Sequence, residues 1–127
     1  MSREVEDLVQ SGQAVPVCPE QLGGLSTPRY PAEIVGGDGF DVLDGQAKVI
    51  DAQGNDVTQE FIDGAHRALN VALTIAAETA IFKRCSPSCG SDLIYDGSFK
   101  GNRRNGVGVT SALLIRSGIS VTTEDDA

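Results

Sequence analysis

Two short segments hold the residue types from which a reactive centre is built. In Cys18-Pro19-Glu20 a thiol and a carboxylate stand two positions apart. As a thiolate the first is a metal ligand or nucleophile, and the second is a proton carrier. In Cys85-Ser86-Pro87-Ser88-Cys89-Gly90 two thiols stand four apart, behind Lys83 and Arg84. Neighbouring cations favour the thiolate, and Pro87 with Gly90 permits a tight turn whose amides face sulfur or an anion. Taken singly, each segment also reads as ordinary structure, with cysteine as a small buried residue.

Several chemistries remain open on these residues. A closed zinc site needs four nitrogen or sulfur ligands, and the chain has three cysteines and one histidine. That histidine, His66, stands between Ala65 and Arg67 in a helical pattern and reads as a solvated or partly packed helix residue. Three thiolates that leave one iron open suit a cubane iron–sulfur cluster, and an open iron is a Lewis acid. A redox or zinc function on Cys85 and Cys89 is the weaker alternative. Gly36-Gly37-Asp38-Gly39 lacks the Lys-Ser/Thr of a phosphate loop and reads as a turn. The basic stretch 97–104 reads as a solvated loop.

The elements that must position these groups fit one domain over residues 1–127. Hydrophobic residues make up 40% of the chain and charged residues 22%, enough for a packed core. A net charge of −8 disfavours nucleic acid and anionic lipid as partners. No apolar run approaches the ~20 residues of a membrane span, and the start has no apolar signal core, so a cytoplasmic protein is expected. In that reducing compartment the cysteines are ligands, reactive thiols or core residues rather than disulfides.

Helical signals occupy residues 2–10, 57–77 and 107–117. Asp56 is the expected N-cap of the second, and Gly118 is the stop of the third. Strands are expected over 14–17, 79–82 and 119–122, with a hairpin of 41–43 against 47–50 around Asp44-Gly45. Residues 18–39 and 84–106 read as loops rich in Gly, Pro, Ser and Asn. The order predicts an α/β domain with a largely parallel sheet plus a small β-hairpin. Both loops leave strand carboxyl ends, where such sheets bind ligands. Cys18 and Cys89 leave those two ends and are therefore expected near one another.

A wider set of motifs resembles a known bacterial family. Val15-Pro16-Val17-Cys18-Pro19-Glu20, Leu22-Gly23-Gly24-Leu25, Pro28-Arg29 and Pro31-Ala32-Glu33-Ile34 carry the resemblance, with Gly36-Gly37-Asp38-Gly39 and Val42-Leu43-Asp44-Gly45. Ser86-Pro87-Ser88-Cys89-Gly90, Ile94-Tyr95-Asp96-Gly97 and the run from Gly106 to Leu114 continue it in order. The characterised members of this family include thiouracil desulfidases. The resemblance implies a Rossmann-like three-layer α/β domain holding a [4Fe-4S] cluster on three cysteines. It implies a small thiolated base as substrate, whose sulfur goes to the open iron. Cys18 and Cys89 match two of the ligands, Glu20 and Ser86 fall at the proton-handling positions, and Ser88 falls beside the substrate.

The chain departs from the family pattern at its start. Members begin with an apolar strand and a first cysteine in a Cys-Leu-x-Gly type motif, and neither precedes Ser2. Intact downstream motifs point to a true start upstream of Met1. The third ligand thus has no counterpart, and Cys85 is a poor substitute beside a strand end. An uncovered sheet edge would also favour a homo-oligomer. Two functions follow: cluster-dependent desulfidation of a thiolated nucleobase, or a non-catalytic paralogue that binds a small molecule or metal.

Overall fold

The computed structural model describes residues 10–11, 19–24, 30–82, 87–90 and 92–123. The helix expected over 2–10 falls, apart from Gln10, outside the described residues, as do the strand over 14–17 and the side chains of Cys18, Glu20, Cys85 and Ser86. Helix α1 (Pro19–Leu22) is followed by β1 (Ala32–Val35), α2 (Gly39–Leu43), β2 (Lys48–Asp51) and α3 (Thr58–Thr74). Then come β3 (Thr79–Phe82), β4 (Leu93–Tyr95), β5 (Arg103–Asn105), α4 (Val109–Arg116) and β6 (Ser120–Thr123).

The architecture is mixed α/β. The described strands form three two-stranded sheets. β3 and β6 are parallel, with Thr79 opposite Ser120. β1 pairs antiparallel with β2, Ile34 facing Val49, and β4 pairs antiparallel with β5, Ile94 facing Arg104. The expected parallel arrangement is therefore present in one pair, while the other two described pairs are antiparallel.

The expected hairpin over 41–50 is not formed, because residues 39–43 are helical. Asp38 Oδ1 accepts hydrogen bonds from the amides of Phe40 and Asp41, and Asp41 Oδ2 accepts one from the Asp38 amide at 2.9 Å. This reciprocal capping box starts a helix where the residues alone suggest a strand. Asp44-Gly45 then closes that helix. Gly45 has φ +78°, and the amides of Gly45 and Gln46 bond back to the carbonyls of Val42 and Asp41, which is a Schellman ending. The true partner of β2 is β1, inside the segment expected to be loop.

The second correction concerns residues 84–106, where β4 and β5 form a hairpin. All three β5 residues are exposed, so Arg103-Arg104-Asn105 shows no alternation to read. Helix α3 also starts one position later than expected. Val57 is its N-cap and has no side-chain cap bond, while Asp56 Oδ1 accepts the Thr58 amide at 2.9 Å.

The core gathers Ile34 and Val49 from the β1/β2 pair, Val42 from α2, Phe61 and Ala65 from α3, Ile94 from β4 and Val109 from α4. These side chains are near-completely withdrawn from water, the main favourable term in folding. No helix among the described residues is long and apolar enough to cross a membrane.

Candidate functional site

Of the two chemistry-bearing segments, residues 87–90 are the better described. They form a turn seated on the N-terminus of α4. A helix N-terminus leaves its first amides without intrahelical acceptors, and here the N-cap is Gly108, which has no side chain to supply one. The turn supplies them instead. Val109 N–H donates to Pro87 O at 2.8 Å, and Thr110 N–H and Ser111 N–H donate to Ser88 O at 2.9 and 3.2 Å. Gly108 N–H donates to Gly90 O at 2.7 Å.

Two hydroxyls complete the seat. Ser111 Oγ donates to the Cys89 carbonyl at 3.1 Å. The hydroxyls of Ser88 and Thr110 lie 2.7 Å apart in the interior. Gly108 is essential to the approach, because a β-carbon there would overlap the Ser88 carbonyl group. Cys89 is left half-buried, and a thiolate on a turn fixed in this way meets one requirement of a soft metal site.

The hairpin of β4 and β5 follows this turn in the chain. Gly106 N–H donates to Asp92 O at 3.1 Å, at the near end of the hairpin. At its far end Glu33 Oε1 accepts the amides of Gly97 and Phe99 at 3.0 and 3.2 Å. The basic stretch lies on this hairpin in solvent, with the Arg103 guanidinium 6.0 Å from the Tyr95 ring centre.

The other segment enters through α1, which carries Glu20 and begins one residue after Cys18. α1 crosses α3 at two glycines. A β-carbon on Gly64 would overlap the Pro19 carbonyl, and one on Gly23 would overlap the Glu60 carbonyl. Arg67 hydrogen-bonds the Leu22 carbonyl. The backbone of α1 is thereby held in close contact with α3, and with it the chain position that follows Cys18.

The sequence-nominated residues therefore fall into two groups. Ser88 and Cys89 share the turn on α4, and Ser88 is 1% exposed with its hydroxyl paired to Thr110. Glu20 stands in α1, and the distance expected between Cys18 and Cys89 involves a residue outside those described. His66 is exposed on α3, as expected, and Gly39 opens α2 beneath the Asp38 cap. Among the described residues no group of three or more His, Cys, Asp or Glu side chains gathers to hold a metal. An open groove of about 360 Å³ lined by Val35, Gly45, Gln46, Ala47, Lys48 and Ile50 contains none of the nominated residues.

Sequence reading missed Thr110 and Ser111, which look like ordinary helix residues until the turn is docked on them. It also missed Glu60, whose Oε2 is buried with no hydrogen-bond partner among the described residues. Leaving such an atom unpaired costs about 1–3 kcal/mol or more.

Comparison with known proteins agrees with this arrangement of motifs. The family model described as 2-thiouracil desulfurase matches residues 1–126. The uncharacterised protein YbbK of Bacillus subtilis (strain 168) is 50% identical over 125 residues, covering 98% of this chain and 83% of that protein. A solved structure, the [4Fe-4S]-dependent thiouracil desulfidase TudS (DUF523Vcz), superposes with a TM-score of 0.85 at 43% identity, covering 99% of this chain and 77% of that one.

Proposed function

Because this chain belongs to the 2-thiouracil desulfurase family, we propose that it replaces the sulfur of a small thiolated nucleobase, such as thiouracil, with oxygen from water. The observation that carries the reading is the likeness, over 99% of the chain, to a protein titled a [4Fe-4S]-dependent thiouracil desulfidase. The same likeness supports a Rossmann-like three-layer arrangement for the whole domain, and thiolate ligands would persist in a reducing, cytoplasmic setting.

The donor chemistry fits an iron–sulfur cluster. Such clusters are held by cysteine thiolates, and Cys89 offers a half-buried thiol on a turn whose backbone is tied down. In this reading Cys18 and Cys89 hold the cluster. When bound, it supplies an electrophilic iron for the departing sulfur.

The remaining work falls to the chain's own groups. A thiocarbonyl and one water become a carbonyl and hydrogen sulfide, so two protons must leave the water and reach the sulfur. Glu20 and Ser86 are assigned to that transfer, one as carboxylate and one as hydroxyl relay. Ser88 stands beside the substrate, with its hydroxyl contact to Thr110 fixing the loop. The glycine crossing packs the backbone of α1, which carries Glu20, closely against α3.

The test is anaerobic reconstitution with iron and sulfide, followed by metal quantitation and an assay of sulfide release from 2-thiouracil. Cluster uptake with turnover that falls at least a hundredfold in Glu20→Gln is the expected result. Binding of thiouracil without sulfide release would overturn the desulfidase reading and leave a binding module.

A further inference from the structure

We propose that Ser111 is a positioning residue for Cys89, with Thr110 fixing the residue before it, so that the start of α4 determines how the thiolate is presented. The inference rests on the reading of Cys89 as a cluster ligand. It goes beyond that reading by assigning a role to two hydroxyls that do not themselves belong to the ligand set.

The geometry singles out Ser111. Each carbonyl from residue 87 to residue 90 has a donor at or near the start of α4. Those of Pro87, Ser88 and Gly90 are met by backbone amides, which almost any residues at those positions would supply. The Cys89 carbonyl is met by a side chain, the Ser111 hydroxyl at 3.1 Å. Among these four carbonyls of the described turn, the tie to that of Cys89 is the one that depends on residue identity.

Thr110 secures the same turn from inside. Ser88, Thr110 and Ser111 are all at most 1% exposed, and the 2.7 Å contact between the Ser88 and Thr110 hydroxyls holds the residue before Cys89 from the interior. The peptide units on both sides of Cys89 are thus fixed before any ligand arrives. A ligand held in place loses less freedom on binding, and partners one step behind a metal ligand are typically worth 10–100-fold in metal affinity.

The experiment compares the reconstituted chain with Ser111→Ala, Ser111→Thr, Thr110→Val and Cys89→Ser. The readouts are the rate of iron loss to a ferrous chelator without oxygen and the visible absorption of the bound cluster, each scaled to the folded fraction. A merely structural hydroxyl would lower the unfolding midpoint without changing either scaled quantity. Ser111→Ala is expected to lose iron about tenfold faster, and Ser111→Thr, which keeps the hydroxyl, is expected to restore the parental rate. Thr110→Val keeps the volume and removes the hydroxyl that meets the Ser88 hydroxyl, so it should also lose iron faster; if Ser111→Ala does not fold, this variant decides the matter. Parental rates in Ser111→Ala, or in Thr110→Val where that variant must decide, overturn the positioning role while loss of the cluster in Cys89→Ser leaves the ligand reading standing. A Cys89→Ser protein that keeps its iron, or a parent chain that takes up none, overturns the ligand reading and this inference with it.

Discussion

Gly108 and Ser88 approach so closely that a β-carbon on Gly108 would overlap the Ser88 carbonyl group. The N-terminus of α4 and the cysteine turn are therefore joined backbone to backbone. Gly108→Ala forces them apart where neither side is a flexible side chain. We expect a loss of about 1–3 kcal/mol in urea unfolding, with faster alkylation of Cys89 by peptide mapping. An unchanged unfolding midpoint and alkylation rate would show that the turn yields without cost.

The crossing of α1 and α3 makes a second prediction. Alanine is the better helix former by about 1 kcal/mol, so Gly64→Ala would stabilise α3 if only propensity mattered. The Pro19 carbonyl occupies the space that the new methyl group needs. The variant is expected to be less stable than the parent by about 1–3 kcal/mol, measured beside His66→Ala at an exposed position of the same helix. A stabilised Gly64→Ala would mean that α1 does not press on α3.

Helix α3 ends with Ala76 at φ +55°, and the amides of Ala76 and Ala77 bond back to the carbonyls of Leu73 and Ala72 at 3.2 and 2.9 Å. This is the position where glycine normally sits, because a β-carbon in the left-handed region costs roughly 1–2 kcal/mol. Ala76→Gly also gains chain entropy in the unfolded state, which offsets part of that relief. The expected net effect is a stabilisation of about 0.5–1 kcal/mol, read as a raised thermal midpoint. A lowered midpoint would contradict the strain assigned to this residue.

Acid sensitivity should have a local origin. The Arg116 guanidinium grips Asp44 at 2.8 and 2.9 Å and, through that hydrogen bond, holds its carboxyl below the ordinary value of 3.8. The Ser98 hydroxyl and amide do the same for Asp96. A carboxyl lowered on folding contributes stability that is fully present above the unfolded value and is lost as pH falls through the folded one. Stability should thus fall below about pH 4, and Asp44→Asn should flatten that fall in urea midpoints taken between pH 5 and about pH 2.5. Parallel curves for the two proteins would remove the ion pair from the account.

The elements legible in the sequence were those whose signals are local. Helix α3 showed its apolar stripe, α4 its Gly118 stop, β3 its short apolar run and β6 its β-branched residues after that stop, each within a residue or a few of the observed bounds. The α2 segment was misread because two local signals compete there. Asp44-Gly45 is a hairpin turn by composition, and the reciprocal cap of Asp38 with Asp41 turns it into a helix ending. The hairpin of β4 and β5 was hidden because a polar, exposed strand carries no alternation.

Residue types and their order establish the chemical inventory: three cysteines, a carboxylate two residues after one of them, and a Ser-Pro-Ser-Cys-Gly segment, all in the order of a known family. What residues 87–90 of that segment rest on emerges with the fold. Their carbonyls are satisfied by amides and a hydroxyl about twenty residues further along, and their serine pairs with a threonine 22 positions away. Buried backbone groups must find partners wherever the fold brings them. Residue type tells what a group can donate or accept, while which group meets which depends on packing between elements distant in the chain.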